Sequence, residues 1–134
     1  MPPEDSPAVC GLGLTDGEED AYFQLLELAW TSRGYAQEDD AAHHVLGWPD
    51  QVQGDMQLEC QLVTNGIGLG GAEVDSRAGV LAPGAADWRL LLQVSSDDDA
   101  GWMWGDLGRL YYWIRERDLR RCAFDAAWLI LQCG

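Results

Sequence analysis

Basic residues are scarce in this sequence. Its 134 residues include eight Lys and Arg against 23 Asp and Glu, which gives a formal net charge of −15. A surface this negative repels phosphate backbones and anionic lipid headgroups. We therefore expect neither nucleic acid nor a membrane surface as a partner, and a basic protein surface is the complementary class.

Long apolar runs and export signals are also missing. The N-terminal stretch MPPEDSPAVCGLGL has no basic segment followed by an apolar one, and no later run reaches the roughly 18 apolar residues of a membrane span. The cysteines, Cys10, Cys60, Cys122 and Cys133, form no C-x-x-C pair, which argues against zinc and against a disulfide framework. These patterns predict a soluble cytoplasmic protein with reduced thiols, no metal site and no cofactor.

Catalytic signatures are absent as well. The sequence has no phosphate-binding loop, and the aspartate run at 97–99 lacks the spacing of a calcium loop. We therefore assign no catalytic residue. The alternative is a small enzyme or metal-dependent hydrolase that uses His44 with Asp106, because a histidine paired with a carboxylate can transfer protons.

The residues that are present form one long apolar segment, from Trp88 to Cys133. Apolar side chains alternate over residues 88–94 and 109–115, which predicts two strands that pair antiparallel. Residues 127–132 are apolar on both faces, which predicts a strand in the middle of the sheet. The expected fold is α+β, with an antiparallel sheet formed mainly by residues 88–133 and one or two flanking helices.

A first helix is predicted after a capping box, in which Thr15 is followed three residues later by Glu18. Apolar residues recur at helical spacing from Tyr22 to Trp30, and Gly34 supplies the stop. We expect this helix to cover one face of the sheet. Residues 1–14 are predicted to be a flexible arm, which leaves 15–134 as a single domain.

A second helix is predicted over residues 56–62. Good helix formers follow a possible N-cap at Asp55, and Asn65-Gly66 makes a left-handed C-cap. The glycine-rich stretch 66–87 is predicted to be a long loop.

The strand pattern also predicts which side chains are buried. One set is expected to form the core: Leu90, Leu92, Leu110, Tyr112, Ile114, Leu129 and Leu131. Leu91, Tyr111 and Trp113 point to the other side, which the first helix or another chain should cover.

Aromatic residues and arginines dominate binding energy at protein interfaces. Trp102 and Trp104 share one side of a short extended segment that ends in a turn at 105–108. The candidate binding residues are Trp102, Trp104, Asp106, Arg109, Tyr111, Trp113 and His44. The favoured function is a non-catalytic protein-binding or accessory module, whose partner is a basic protein or a second copy of the chain.

Four sequence blocks in order resemble the C-terminal half of the YwqG-like family of uncharacterised proteins. The blocks are HHVLGWPDQVQGDM, ECQLVTNG, WRLLLQVSSDDDAGWMWGDLGRLYYWIRERDL and FDAAWLILQC. The resemblance implies a β-rich mixed fold with flanking helices and almost nothing about function, since the family has no assigned activity. The acidic surface and the aromatic residues lead us to an accessory or immunity-type bacterial module as the hypothesis. Members are typically about twice this length, so a face that the other half covers is expected to be exposed. Ser95 stands where the family pattern leads us to expect an acidic residue.

Overall fold

Five α-helices and one antiparallel sheet make up the part of the chain that the structure, a computed structural model, describes: residues 2, 7–32, 43–68 and 75–134. The α-helices are α1 (Pro7–Cys10), α2 (Asp16–Ser32), α3 (Met56–Val63), α4 (Ala78–Leu81) and α5 (Glu116–Leu119). The strands are β1 (His44–Val45), β2 (Trp88–Ser95), β3 (Arg109–Arg115) and β4 (Trp128–Gln132). Short 3-10 helices occupy Ala82–Asp87 and Phe124–Ala126. The predicted α+β fold is confirmed.

The strands lie in the sheet in chain order, β1-β2-β3-β4, and each pairs antiparallel with its neighbour. This confirms the two strands predicted at 88–94 and 109–115 and their antiparallel pairing. A register shift between Leu90 and Leu92 makes Leu91 an extra residue in β2. Such a bulge reverses the alternation of side chains, so Leu90 and Gln93 point to one side of the sheet and Leu92 to the other.

β4 was predicted in the middle of the sheet, and that prediction is wrong. Within the described residues β4 pairs with β3 alone and is an edge strand. β4 is apolar on both sides although only one of its sides faces the core. Ile130 faces the core and is 5% exposed, whereas Leu129 and Leu131, on the opposite side, are each 47% exposed.

The core lies on the side of the sheet that carries the aromatic residues, here called the aromatic face. Its buried cluster consists of Trp88, Leu90, Tyr111, Trp113 and Ile130 from the sheet with Met56 and Cys60 from α3. α3 fits this position because Met56 and Cys60, one helical turn apart, present one apolar stripe. The same burial raises the pKa of the Cys60 thiol.

The opposite side, here called the aliphatic face, is only partly covered. It carries Val45, Leu92, Val94, Leu110, Tyr112, Ile114, Leu129 and Leu131. The predicted core set is therefore wrong for most of its members, because only Leu90 and Ile114 are buried. Leu92, Leu110 and Tyr112 are half-buried, and the two β4 leucines are exposed.

The predicted ends of α3 are confirmed. The carboxylate of Asp55 accepts hydrogen bonds from the backbone N–H groups of Gln57 and Leu58, each at 3.2 Å. Gly66 adopts a φ of 80°, and the N–H of Ile67 then reaches back to the carbonyl of Leu62 at 3.0 Å. This left-handed glycine satisfies the last turn of the helix.

α2 begins where it was predicted to begin, but it does not cover a face of the sheet as expected. Glu18 accepts a hydrogen bond from the N–H of Thr15 at 2.9 Å, which confirms the glutamate half of the capping box, whereas the Thr15 hydroxyl donates to the same carboxylate at 2.7 Å. None of the described side chains of α2 is buried, and Leu28 is 66% exposed. α3 already occupies the aromatic face, so α2 is not needed there. Gly34, the predicted stop, lies outside the described residues.

Part of the predicted loop at 66–87 is helical, because α4 and a 3-10 helix lead directly into β2. Residues 69–74 lie outside the described part. Gly84 lets this segment approach α3 closely, since a Cβ there would lie 2.3 Å from Nε2 of Gln61. The amide of Gln61 in turn donates to the carbonyl of Leu81 at 3.0 Å.

Neighbouring residues of β4 test the assignment of the two faces. Ile130→Ala should lower the free energy of unfolding by about 2–5 kcal/mol, because it removes a buried side chain. Leu131→Ala should lower it by less than about 1 kcal/mol, because that side chain is half exposed already. Urea unfolding followed by tryptophan fluorescence measures both. A larger loss for Leu131→Ala would place the core on the aliphatic face.

Candidate binding site

A loop of residues 47–55 lies over the polar end of the aromatic face, and glutamines of the sheet hold its backbone. Gln132 Oε1 accepts from the N–H groups of Val52 and Gln53 at 2.9 and 3.0 Å. Its Nε2 donates to the carbonyl of Gly54 at 3.0 Å. Gln132 is only 4% exposed. Its buried amide therefore supplies the loop backbone with hydrogen-bond partners that a neighbouring strand would otherwise provide.

Side chains of the sheet hold Asp50 in this loop at several points. Its carbonyl accepts from Nη1 of Arg109 at 2.8 Å and from the hydroxyl of Tyr111 at 2.7 Å. Its N–H donates to Oε1 of Gln93 at 2.8 Å, and its carboxylate accepts from the Gln93 amide at 3.2 Å. Three buried side chains of the sheet therefore fix both the backbone and the carboxylate of Asp50.

His44 lies next to this carboxylate. Its Nδ1 is 3.0 Å from the carbonyl of Leu46, which can only accept, so Nδ1 carries a proton. Nε2 is 3.5 Å from Oδ2 of Asp50. In the neutral ring Nε2 has no hydrogen-bond partner within the described residues, whereas a protonated ring forms an ion pair with Asp50.

Asp106, the other half of the predicted His44–Asp106 pair, lies in the exposed turn before β3. Its carbonyl accepts from the N–H of Gly134 at 3.3 Å. Across the described ranges no hydrogen bond or ion pair joins Asp106 to His44, which contacts Asp50 instead.

His43, which was not among the predicted site residues, contacts one of the two tryptophans. Its Nδ1 accepts from the N–H of Ser95 at 3.1 Å, and its Nε2 donates to Asp97 at 3.0 Å. The second hydrogen bond holds the pKa of Asp97 below its usual value. Trp102 packs edge-on against His43 with ring centroids 5.8 Å apart, and Trp104 lies 6.4 Å from Trp102.

Three of the predicted binding residues are part of the core. Arg109, Tyr111 and Trp113 are 8%, 0% and 2% exposed. Two of them hold the carbonyl of Asp50, and Trp113 belongs to the apolar cluster. Trp102 and Asp106 remain exposed at the surface, whereas Trp104 is half-buried and donates to the carbonyl of Ser95 at 3.2 Å.

A cleft of about 510 Å³ lies beside the core, with walls that include Trp48, Trp88 and Trp113. Gln57 and Arg89 are also among its lining residues. The Gln57 amide already donates to the carbonyl of Trp88 at 2.8 Å, and Arg89 already binds Glu116 at 2.7 Å. Gln57 and Arg89 are therefore engaged within the fold, whereas the buried Nε1 of Trp113 has no hydrogen-bond partner among the described residues.

The exposed part of the aliphatic face continues to the free edge of β4. Leu129 and Leu131 are each 47% exposed, and Val45, on the same face at the other edge, is 68% exposed. No backbone group on the outer edge of residues 128–131 forms a hydrogen bond in the part of the chain that the structure describes. β4 carries no proline and no charge, the features that commonly protect an edge strand.

Most of the described arginines gather at one end of the sheet, where Glu116 and Asp118 pair with four of them. The sheet end where β3 leads into α5 carries most of the described arginines: Arg89, Arg115, Arg117, Arg120 and Arg121. The other end, where β2 and β4 finish and β3 begins, carries Asp97, Asp98, Asp99 and Asp106. Arg120 and Glu116 form an ion pair that lowers the pKa of the Glu116 carboxyl.

Over the described residues no group of three or more His, Cys, Asp and Glu side chains is placed to hold a metal ion. All four cysteines are free thiols. Among the described helices, none combines the length and the apolar character needed to cross a bilayer.

The chain belongs to the family described as "Domain of unknown function (DUF1963)", whose family model matches residues 12–133. No curated protein matches the chain.

The hydroxyl of Tyr111 gives a pH-dependent test of the loop attachment. Burial raises the pKa of Tyr111 to about 12 from an ordinary value of 10.0. A raised folded-state pKa means that stability present below pH 10 is lost as the pH rises towards 12, by up to about 3 kcal/mol for this group. Tyr111→Phe should cost about 1 kcal/mol at neutral pH, and its deficit should shrink or reverse above pH 10.

Chemical denaturation at a series of pH values measures this difference. Tyr112→Phe is the matched control, because no hydrogen bond is found for its hydroxyl in the described part of the chain, and it should keep the pH profile of the parent. A constant deficit for Tyr111→Phe across the whole range would contradict the buried hydroxyl.

Proposed function

We propose that this chain is a non-catalytic protein-binding module of the YwqG-like type, an accessory or immunity-type protein of the bacterial cytoplasm. The observation that carries the proposal is the exposed aliphatic face of β4 beside its unpaired edge. A partner strand added there would satisfy the free backbone groups and bury Leu129 and Leu131 at the same time. Four free thiols support a reducing compartment.

The apolar side chains at this edge support a docking surface and not merely isolated apolar residues that a protein surface tolerates. Scattered surface leucines are ordinary, but these two are adjacent on one face of a strand that lacks edge protection. Burying their exposed halves together with the cross-strand partners would contribute about 0.2–1 kcal/mol for each cross-strand pair. A short strand of this kind suits a reversible complex.

The polar groups of the candidate site favour a structural role over a catalytic one. The carboxylate of Asp50 is bonded by Gln93, and its carbonyl is bonded by Arg109 and Tyr111. A hydrolase that used His44 and Asp106 would need those two side chains to meet. The contact that His44 makes is with Asp50.

A capture experiment tests the module. The tagged chain is used as bait in a lysate of its source organism, beside the variant Leu131→Asp and the control Val80→Asp, which changes a side chain that is 82% exposed on α4. The parent and the Val80 control should retain the same partner or untagged copy, and Leu131→Asp should reduce its amount at least about tenfold, or 1.4 kcal/mol. Equal capture by all three baits would show that the aliphatic face of β4 is not the docking surface.

A further inference from the structure

We propose that the partner strand at this edge is β4 of a second copy of the chain, so that two four-stranded sheets join across a two-fold axis. The inference rests on the proposed function and names the occupant of its docking surface. A two-fold dimer is the commonest closed arrangement of identical chains, and it pairs the same surface of each copy.

The sequence of β4 suits antiparallel pairing with itself. A two-fold axis through Ile130 places Ile130 opposite its own copy, Leu129 opposite Leu131 of the second copy, and Trp128 opposite Gln132. All five residues of the strand are then paired. Directly opposite residues point to the same side of a sheet, so this register keeps the leucines together on the aliphatic face and Ile130 on the aromatic face.

The distribution of charge favours the antiparallel arrangement over a parallel one. The two-fold axis brings the acidic end of one sheet, with Asp106, towards the arginine-bearing end of the other and so keeps the two acidic ends apart. Arg120 and Arg121 at that end are exposed, and each also pairs with a carboxylate of its own chain. A parallel arrangement would place like ends together. Opposite charges in this position orient the encounter and discourage wrong registers.

The short length of the edge and the high net charge of the chain indicate a modest affinity. The five-residue edge is about 17 Å long, which gives an interface at the small end of specific complexes. Each copy carries a net charge of −15, and that repulsion acts over about 30 Å at 10 mM salt but only about 8 Å at 150 mM. We therefore expect dimerisation at about 1–100 μM protein, strengthened when salt rises from 10 to 150 mM.

Charge substitutions at the paired leucines test the register directly. Leu129→Glu with Leu131→Glu places like charges opposite one another twice across the axis. Leu129→Arg with Leu131→Glu changes the same two exposed positions but places opposite charges there. Sedimentation velocity across this concentration range, with circular dichroism and thermal unfolding to verify folding, compares both variants with the parent chain.

We expect the parent to dimerise, the Glu–Glu variant to be monomeric with its dissociation constant raised at least about tenfold, and the Arg–Glu variant to retain the dimer. Equal weakening of the two folded variants would overturn the register. A parent that is monomeric throughout would overturn the inference. If that monomer still captured a different protein through Leu131, the proposed function would stand without the second copy, and if it captured nothing, both would fail.

Discussion

Backbone groups of the loop at 50–54 need hydrogen-bond partners, and side chains of the sheet supply them. Gln132 binds three backbone groups of the loop, and Gln93, Arg109 and Tyr111 fix Asp50. A buried polar side chain is stabilising when its partners are complete and costly when one is missing. One side of the sheet is therefore covered by the loop at its polar end. α3 covers the rest of that side, where the aromatic core forms.

The aliphatic face of the sheet is less completely covered, and the proposed function is based on this exposed apolar surface. Ile114 is buried on that side, but the leucines of β4 are not. The structure thus separates a face whose polar side chains hold the loop from a face where, in the described part of the chain, apolar side chains are exposed and the outer backbone groups of β4 are unpaired. His44 and Asp50 belong to the first, although their residue types had suggested chemistry.

Local patterns allowed the elements to be predicted, whereas their arrangement depended on contacts distant in sequence. The capping box at Thr15 and the helix behind Asp55 are encoded within a few residues, and the alternation in β2 and β3 identified both strands. The choice of face could not be predicted, because both sides of β3 are apolar and Gln93 and Gln132 resembled solvent-facing residues. Their loop partners lie 43 and about 80 residues away. The bulge at Leu91 also reversed the alternation that had linked Leu90 with Leu92.

Hydrogen exchange of individual amides tests the attachment of the loop most directly. The N–H groups of Val52 and Gln53, which bind the side chain of Gln132, should be protected almost as strongly as those of β3, because they open only when the loop leaves the sheet. Gln132→Leu should abolish this protection while Asp50, held by Gln93, keeps part of its own. Exchange of Val52 and Gln53 in the parent chain as fast as that of exposed Met103 would contradict the account.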